Sequence, residues 1–247
     1  MVTLDRPKAN AVDAATSREL YQAFLRLRDD EQLRAGVVTG AGDRFFSAGW
    51  DLKAAASGEP ADADWGEGGF AGLTEFFDIG KPVVAAVNGL AIGGGFELAL
   101  AADLVVAAEG AEFALPEATL GLVADSGGML RLPSRLPRVI AREMLLTGRR
   151  MTAREAAGWG LVNQVVSAAE LADAALALAE RACAGAPLSV AATLEVLAAT
   201  EGLPPRTGFA AMRAESLRDY PRVAGSADAQ EGARAFVEGR NPCWQGS

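Results

Sequence analysis

Apolar residues recur along the chain in two spacings, and each spacing predicts a different kind of element. Over residues 13–30, Leu20, Phe24 and Leu27 fall on one stripe of a helix. In contrast, Val83–Val87 is an unbroken apolar run, which is typical of a strand buried on both faces. Because strands of this kind alternate with helices up to about residue 150, the sequence predicts an α/β core with parallel strands.

The rest of the pattern divides the chain into this core and a helical region. Further elements of the core are predicted as strands at 2–4, 34–39, 104–106 and 112–115, helices at 72–77 and 96–100, turns at 45–53 and a loop at 57–70. Capping boxes at 152–155 and 167–170 predict two helix starts. A further helix is predicted from Pro187, with a break at 202–205, and two more at 207–219 and 227–239. We expect residues 1–190 to form the core and residues 191–247 a helical C-terminal region, with the boundary between 185 and 205.

The 247 residues include no histidine, and this absence excludes whole classes of mechanism. Ser-His-Asp and Cys-His hydrolases require an imidazole base. Most catalytic zinc sites and the two-His-one-carboxylate iron site require imidazole ligands. The two cysteines, Cys183 and Cys243, lie too far apart for a CxxC motif or a zinc ribbon. We therefore expect no metal site, and an acid or base drawn from Asp, Glu, Lys, Tyr or a thiol.

Charge and hydropathy predict the partners and the cellular location of the chain. A net charge of −9 disfavours nucleic acid as a partner, since phosphate contacts require clustered Lys and Arg. No apolar run reaches the roughly 18 residues that span a bilayer, so we expect no membrane association. The first residues lack a basic segment followed by an apolar one, and only two thiols are present. A cytoplasmic location is the resulting expectation.

The first candidate for chemistry is the glycine run Gly93-Gly94-Gly95 between a strand and a helix. Consecutive glycines allow a ligand close to the backbone, and the first N–H groups of a helix have no internal partner. Such a junction can stabilise a developing oxyanion. The alternative is a tight turn that simply needs small residues.

Two glutamates in apolar surroundings are the second candidate. Glu97 lies between Phe96 and Leu98, and Glu117 follows Leu115 and a proline. Burial and a neighbouring like charge raise a carboxyl pKa, which lets two such groups share acid and base roles near neutral pH. Periodicity by itself favours the alternative of two unrelated surface carboxylates.

The third candidate is the turn at 47–52, whose small residues follow a hydrophobic strand. Its backbone could supply a second N–H donor, although an ordinary strand-to-helix connection has the same composition.

Taken together, four ordered segments resemble the crotonase superfamily, the enoyl-CoA hydratases and isomerases. The resemblance covers nearly the whole chain and rests on residues 47–52, 81–89, 93–99 and 113–117, with tail segments 226–232 and 235–236. It implies a crotonase-like α/β spiral of ββα units, followed by a C-terminal helical region that builds homotrimers or dimers of trimers. It also implies an acyl-CoA thioester substrate, an enolate-like intermediate, and no cofactor beyond the coenzyme A moiety of that substrate.

The resemblance assigns roles to particular residues. The backbone N–H groups of Trp50 and Gly94 are expected to hold the thioester oxygen, and Glu97 and Glu117 to exchange protons. Because isomerases of the family often keep one carboxylate, the presence of both favours hydratase or dehydratase chemistry. Coenzyme A is expected along a set of residues at the turn and the glycine run, namely Lys8, Ala48, Trp50, Asp51, Leu52 and Gly94.

Residues 47–56, 68–75 and 125–128 further resemble a dehydratase branch of this family whose substrate carries a trimethylammonium group. The expected acyl pocket contains Trp65, Phe70, Pro116 and Asp125. An aromatic and acidic cage for the cation is expected from Trp50, Trp65, Phe70 and Phe77 with Glu75 or Asp78. Alternatively, these aromatic residues pack the core or cover the acyl chain. Two other functions stay open, a general enoyl-CoA hydratase or isomerase and a non-catalytic protein of the same fold.

Overall fold

The computed structural model describes residues 1–60, 63–213 and 216–246, which contain two β-sheets surrounded by helices. The strands are β1 Val2–Leu4, β2 Gly36–Gly40, β3 Phe45–Ser47, β4 Val83–Val87, β5 Leu90–Ile92, β6 Leu104–Ala108, β7 Glu112–Ala114, β8 Met151–Thr152 and β9 Gln164–Val166. One sheet has the order β1-β2-β4-β6-β9 and is entirely parallel. The other has the order β3-β5-β7-β8, and only its β7–β8 pair is antiparallel.

Several helices begin at residues that are typical of helix N-termini. They are α1 Ala14–Asp29, α2 Leu52–Ala56, α3 Gly94–Ala101, α4 Gly128–Arg135, α5 Arg138–Thr147, α6 Ala153–Gly158, α7 Leu171–Ala182, α8 Pro187–Thr200, α9 Pro205–Met212, α10 Tyr220–Val223 and α11 Ala227–Glu238, with 3-10 turns at Phe70–Gly72 and Glu117–Leu120. The Asp13 carboxylate caps α1 by accepting from the Thr16 N–H, and Ser226 caps α11 in the same way. Proline begins α8, where the missing N–H costs nothing.

Successive strands alternate between the two sheets. β2, β4 and β6 lie in the five-stranded sheet, and β3, β5 and β7 follow them in the other sheet. A helix or helical turn follows each pair, namely α2, α3 and the 3-10 turn Glu117–Leu120. The chain therefore winds as a spiral of ββα units, which agrees with the predicted fold class.

Strand β4 contributes apolar side chains to the packed layers on both sides of the larger sheet. Its five residues are all buried, as the apolar run predicted. Val83, Ala85 and Val87 join the main core, where Leu20, Phe24 and Leu27 of α1 also lie, as their helical stripe predicted. The alternate residues Val84 and Ala86 face α7, which packs Leu171, Ala175 and Ala179 against them. A period of two thus allows one strand to serve two apolar layers.

The predicted helix at 72–77 is wrong. Only the 3-10 turn Phe70–Gly72 is helical there, and Ala71 and Gly72 have φ values of +52° and +67°. The reason is a close approach to α1, because a side chain on Gly72 would lie 2.2 Å from the Tyr21 nitrogen. Left-handed backbone of this kind ends a helix.

Other differences concern elements that the sequence did not predict and one boundary. β3 and α2 lie in the stretch predicted as turns, and β5, β8, β9, α4 and α5 were not predicted. At the second capping box, Glu170 accepts the Ser167 N–H, but α7 begins only at Leu171. Of the helix predicted at 207–219, only the part in α9 is found, which ends at Met212, and α10 begins beyond it at Tyr220. The parts of the predictions that fall on residues 61, 62, 214 and 215 lie outside the described residues. The expected boundary between 190 and 191 falls inside α8.

Within residues 1–60, 63–213 and 216–246, no single helix is long and apolar enough to cross a membrane. Helices α7 and α8 are long and apolar enough only if they are counted as one segment, and a bend of 99° separates them.

Candidate active site

One cavity of about 400 Å³ contains most of the residues predicted for the site. It lies where α3 begins, beside the turn that follows β3 and the 3-10 turn that follows β7. Its walls are formed by Ala48, Trp50, Leu52, Trp65, Phe70, Ile92, Gly93, Gly94, Glu97, Pro116, Glu117, Leu120, Gly121, Leu122, Val123, Asp125 and Ser126. The spiral thus brings the three predicted segments together, because the β3, β5 and β7 ends are neighbours in one sheet.

Two backbone N–H groups at the cavity wall have no described hydrogen-bond acceptor. Trp50 forms a parallel bridge with Val12, which bonds to Gly49 and Asp51 on either side, so the Trp50 N–H points away from Val12. The second is the N–H of Gly94, the first residue of α3. Among the backbone hydrogen bonds of the described residues, none uses either group as donor.

The two donors are held together by glycines. A side chain on Gly49 would lie 2.7 Å from the Gly94 nitrogen, and one on Gly95 would lie 2.2 Å from the Ser47 carbonyl oxygen. Only residues without a Cβ permit this approach of α3 to the turn after β3. The arrangement provides a pair of rigid donors for an anionic oxygen, to which the positive end of the helix dipole adds.

Glu97 lies on the first turn of α3 and is 3% exposed. Its Oε1 accepts a hydrogen bond of 2.8 Å from the Gly128 N–H, at the start of α4. Burial raises the pKa of Glu97 to about 8, since the loss of hydration outweighs that bond and the charges of Glu117 and Asp125 add to the effect. The carboxyl group is therefore mostly protonated at neutral pH.

Glu117 begins the 3-10 turn after β7, and its carboxylate faces the glycine run. A side chain on Gly93 would lie 2.8 Å from Glu117 Oε1, so glycine leaves room for that oxygen. The other oxygen, Oε2, is buried and has no hydrogen-bond partner among the described residues. Burial raises the pKa of Glu117, and the charge of Asp125 adds to this. An unpartnered carboxylate oxygen beside a cavity is available to accept a proton from a ligand.

The cavity is acidic as well as partly aromatic. Asp125 lines it with the two glutamates, and none of its lining residues, all within the described part of the chain, is Lys or Arg. Trp50, Trp65 and Phe70 form an aromatic wall, in which the Trp65 and Phe70 rings meet edge to face at 5.2 Å. Such surroundings favour a cationic or apolar group over an anionic one.

Part of the predicted cage lies elsewhere. Phe77 is 71% exposed and lies with Asp78 at a different cavity, and Glu75 is exposed. The segment after Gly72 packs against α1, where the Phe76 ring meets the Tyr21 ring at 5.0 Å, and these three residues do not line the cavity beside α3. The aromatic residues that do reach it are Trp50, Trp65 and Phe70.

The residues expected along coenzyme A have mixed positions. Ala48 and Leu52 line the cavity, as do the predicted pocket residues Pro116 and Asp125. Lys8 is exposed and does not line it. Asp51 also lies outside the lining, since its side chain caps α2 by accepting from the Lys53 N–H at 2.9 Å.

Sequence reasoning missed two groups that hold the site in place. The Gly128 N–H that fixes Glu97 could have been found from the glycine pair at 127–128, which precedes an amphipathic stretch. Glu59, whose carboxylate accepts the Trp50 indole N–H at 2.9 Å, had no signal in the local pattern. In the described ranges, no cluster of three or more His, Cys, Asp or Glu side chains is arranged to hold a metal ion.

The spiral of ββα units and the cavity together define a class of protein. In this class two backbone N–H groups lie beside buried carboxylates at one end of the second sheet. The model of the enoyl-CoA hydratase/isomerase family matches residues 1–247, and the chain belongs to that family. The predicted resemblance to crotonases is thereby confirmed.

Comparison with individual proteins agrees with the predicted branch. The chain is 60% identical over 245 residues to carnitinyl-CoA dehydratases of Proteus mirabilis (strain HI4320) and Salmonella paratyphi A, covering 99% of this chain and 94% of each relative. Among solved structures, an enoyl-CoA hydratase from Mycobacterium marinum superposes with a TM-score of 0.89 at 46% identity. A carnitinyl-CoA hydratase from Mycobacterium avium has a TM-score of 0.75 at 45% identity, and both matches cover 99% of this chain and 94% of the other. These likenesses confirm the predicted fold class.

Proposed function

We propose that the chain is an acyl-CoA hydro-lyase that reversibly dehydrates carnitinyl-CoA to crotonobetainyl-CoA. The observation that carries this proposal is the cavity itself, where two carboxyl groups of raised pKa lie beside two free backbone N–H groups. The 60% identity to carnitinyl-CoA dehydratases supports the choice of acyl group.

The backbone N–H groups of Trp50 and Gly94 stabilise the reaction's anionic intermediate. They donate to the thioester oxygen, which becomes an enolate oxygen when the C2 proton leaves. A carboxylate is too weak a base for that proton unless the enolate is stabilised. Removing one such donor typically slows an enzyme by about 10²–10³-fold, so the pair supplies a large part of the catalysis.

The two glutamates divide the proton transfers. In dehydration, the Glu117 carboxylate removes the C2 proton, because its Oε2 has no competing partner. Glu97 is mostly protonated at neutral pH and delivers its proton to the C3 hydroxyl, which leaves as water. The C2–H and C3–O bonds break, the C2–C3 double bond forms, and hydration reverses each transfer.

The pocket residues complement a trimethylammonium end on the acyl group. Trp50, Trp65 and Phe70 present ring surfaces, and Asp125 adds negative charge at the same cavity. Pro116 closes the wall beside Glu117. Cation–π contacts of this kind contribute about 2 kcal/mol or more when water is excluded.

Coenzyme A lies along Ala48 and Leu52 toward the surface, with Lys8 and Lys53 near its phosphates. Both lysines are exposed, which suits an ionic contact with a ligand that arrives from solution. No cofactor beyond this coenzyme A moiety takes part in the proposed reaction, and neither nucleic acid nor membrane is a partner.

Residues 191–247 assemble the chain into homotrimers or dimers of trimers in the cytoplasm. Support comes from large apolar side chains that one chain leaves uncovered in this region, since Leu197, Phe236 and Val237 are 60%, 87% and 85% exposed.

The test is turnover of purified Glu97→Gln and Glu117→Gln variants. Each should lose most activity, about 10²-fold or more, while circular dichroism shows a folded chain. Glu19→Gln, an exposed change on α1, is the matched control and should retain full activity. Near-normal turnover in either active-site variant would reject the assigned roles.

A second candidate function is hydration of unsubstituted short-chain enoyl-CoA, which the likeness to structures of enoyl-CoA hydratases favours. Comparing crotonobetainyl-CoA with crotonyl-CoA separates the two, because a clear preference for crotonyl-CoA would reject the carnitine assignment. Absence of acyl-CoA binding in calorimetry would instead indicate a non-catalytic member of the fold.

A further inference from the structure

A carboxylate outside the reacting centre holds the largest side chain of the acyl pocket. Glu59 Oε1 accepts the indole N–H of Trp50 at 2.9 Å. Its Oε2 accepts the backbone N–H of Ala14 at 3.1 Å. Ala14 is the first residue of the 16-residue helix α1, where an N–H is otherwise unpaired and an anion is favoured. Both oxygens of Glu59 are therefore used, and the carboxylate links Trp50 to α1.

The position of the Trp50 ring matters because this residue faces the substrate in two ways. Its indole lines the cavity, and its backbone N–H is one of the two donors for the thioester oxygen. The ring and the proposed thioester donor therefore belong to the same residue. An indole free to rotate about its two side-chain torsions would change the width of the pocket.

We propose that Glu59 is a positioning residue that fixes the Trp50 indole as one wall of the acyl pocket and so selects the acyl group by size and charge. This inference rests on the proposed function for the identity of the preferred acyl group. Its geometric part, a wall held in place by Glu59, applies to any acyl-CoA that enters the cavity.

The hydrogen bond also changes the electrostatics of the ring. A carboxylate that accepts the indole N–H pushes electron density into the π system, which makes the ring face more negative. A permanent cation on the acyl group gains from that face, whereas a neutral group of the same shape does not. Glu59 thus affects charge selection through its negative charge and size selection through the geometry of its bonds.

The experiment compares three substrates of graded size and charge in steady-state kinetics. They are crotonobetainyl-CoA, its neutral isostere 5,5-dimethylhex-2-enoyl-CoA, and the small crotonyl-CoA. Glu59→Gln keeps an acceptor for the indole but removes the charge. The preference is the kcat/KM for crotonobetainyl-CoA divided by the kcat/KM for its isostere. We expect Glu59→Gln to lower it by about fivefold to tenfold, mainly through a higher KM for crotonobetainyl-CoA.

Glu59→Ala removes the acceptor as well and should lower the preference for both bulky substrates over crotonyl-CoA. Trp50→Phe keeps an aromatic ring without the N–H, so Glu59→Ala should have little further effect in that background. Glu67→Gln is the matched control, because Glu67 also accepts a hydrogen bond from an aromatic side chain, Tyr21 Oη at 2.8 Å, yet does not line the cavity. It should leave all three preferences unchanged.

Equal losses for all three substrates in Glu59→Gln and Glu59→Ala would overturn the inference, as would additive effects of the Glu59→Ala and Trp50→Phe changes. Failure of the proposed function is a separate result, seen as absence of crotonobetainyl-CoA turnover by the unaltered enzyme. In that case the kcat/KM for 5,5-dimethylhex-2-enoyl-CoA is divided by the kcat/KM for crotonyl-CoA. A lower ratio in Glu59→Ala than in the unaltered enzyme still shows that Glu59 holds the wall, and an equal ratio shows that it does not.

Discussion

Replacing Glu97 with glutamine should stabilise the folded chain while it removes one of the two proposed proton-transfer groups. Glu97 is 3% exposed, and burial raises its pKa from 4.5 to about 8. Between these values the folded chain keeps a proton that the unfolded chain releases. The free energy of unfolding therefore falls as pH rises through this window, by about 1.4 kcal/mol per pH unit.

Glutamine is neutral at every pH and can still accept the Gly128 N–H bond through its amide oxygen. The variant and the original chain should be similarly stable near pH 4.5. At pH 7 the variant should be more stable by about 3 kcal/mol, and above pH 8 by a constant difference of about 5 kcal/mol.

Urea unfolding followed by tryptophan fluorescence at pH 5, 6, 7 and 8 measures this difference directly. Glu19→Gln, exposed on α1, is the control and should show no growing difference across the series. A Glu97→Gln stability difference that stays flat between pH 5 and 8 would refute the reasoning, because it would show that the carboxyl group ionises at its ordinary pKa in the folded chain.

Three further changes test the packing around the site and at its supports. Gly94→Ala would place a Cβ 2.5 Å from Phe70 Cε1, so kcat/KM should fall about 10²-fold in steady-state assays, with a loss of stability of about 1–3 kcal/mol in urea. Asn10→Ala removes the buried amide that donates to Ala41 and Phe45 carbonyl oxygens at 3.0 and 2.9 Å, and should cost about 2–3 kcal/mol in the same unfolding assay. Ser226→Ala removes the cap of α11 and should cost about 1 kcal/mol, seen as faster amide exchange in that helix; unchanged exchange would contradict the capping role.

The elements with the clearest period could be predicted from the sequence, whereas several short elements could not. The helix at 14–29 and the strand at 83–87 carry enough apolar residues for one period to dominate. β3, β5 and β8 have two or three residues each, and a period cannot be read from so few positions. The predicted helix at 72–77 failed because the approach to α1, a tertiary contact, imposes left-handed backbone at Gly72.

The candidate site divides in the same way. Resemblance to the family pointed to Glu97, Glu117, Trp50 and Gly94, and the structure places all four at one cavity. The residue pattern alone favoured two unrelated surface carboxylates, because local sequence contains no information about which charges lose their water. Phe77 illustrates the opposite error, since an aromatic residue close in sequence to the pocket is 71% exposed elsewhere.

By itself the sequence determined the class of chemistry and the class of fold. A chain without histidine must transfer protons through other groups, and alternating apolar runs and stripes must form layers of strands and helices. The tertiary structure determined which groups meet at the proposed site. Burial of Glu97 under Gly128 raises its pKa, and the close approach of Gly49 to Gly94 brings two N–H donors together. Both effects depend on distances between segments remote in the chain, and those distances exist only once the spiral has formed.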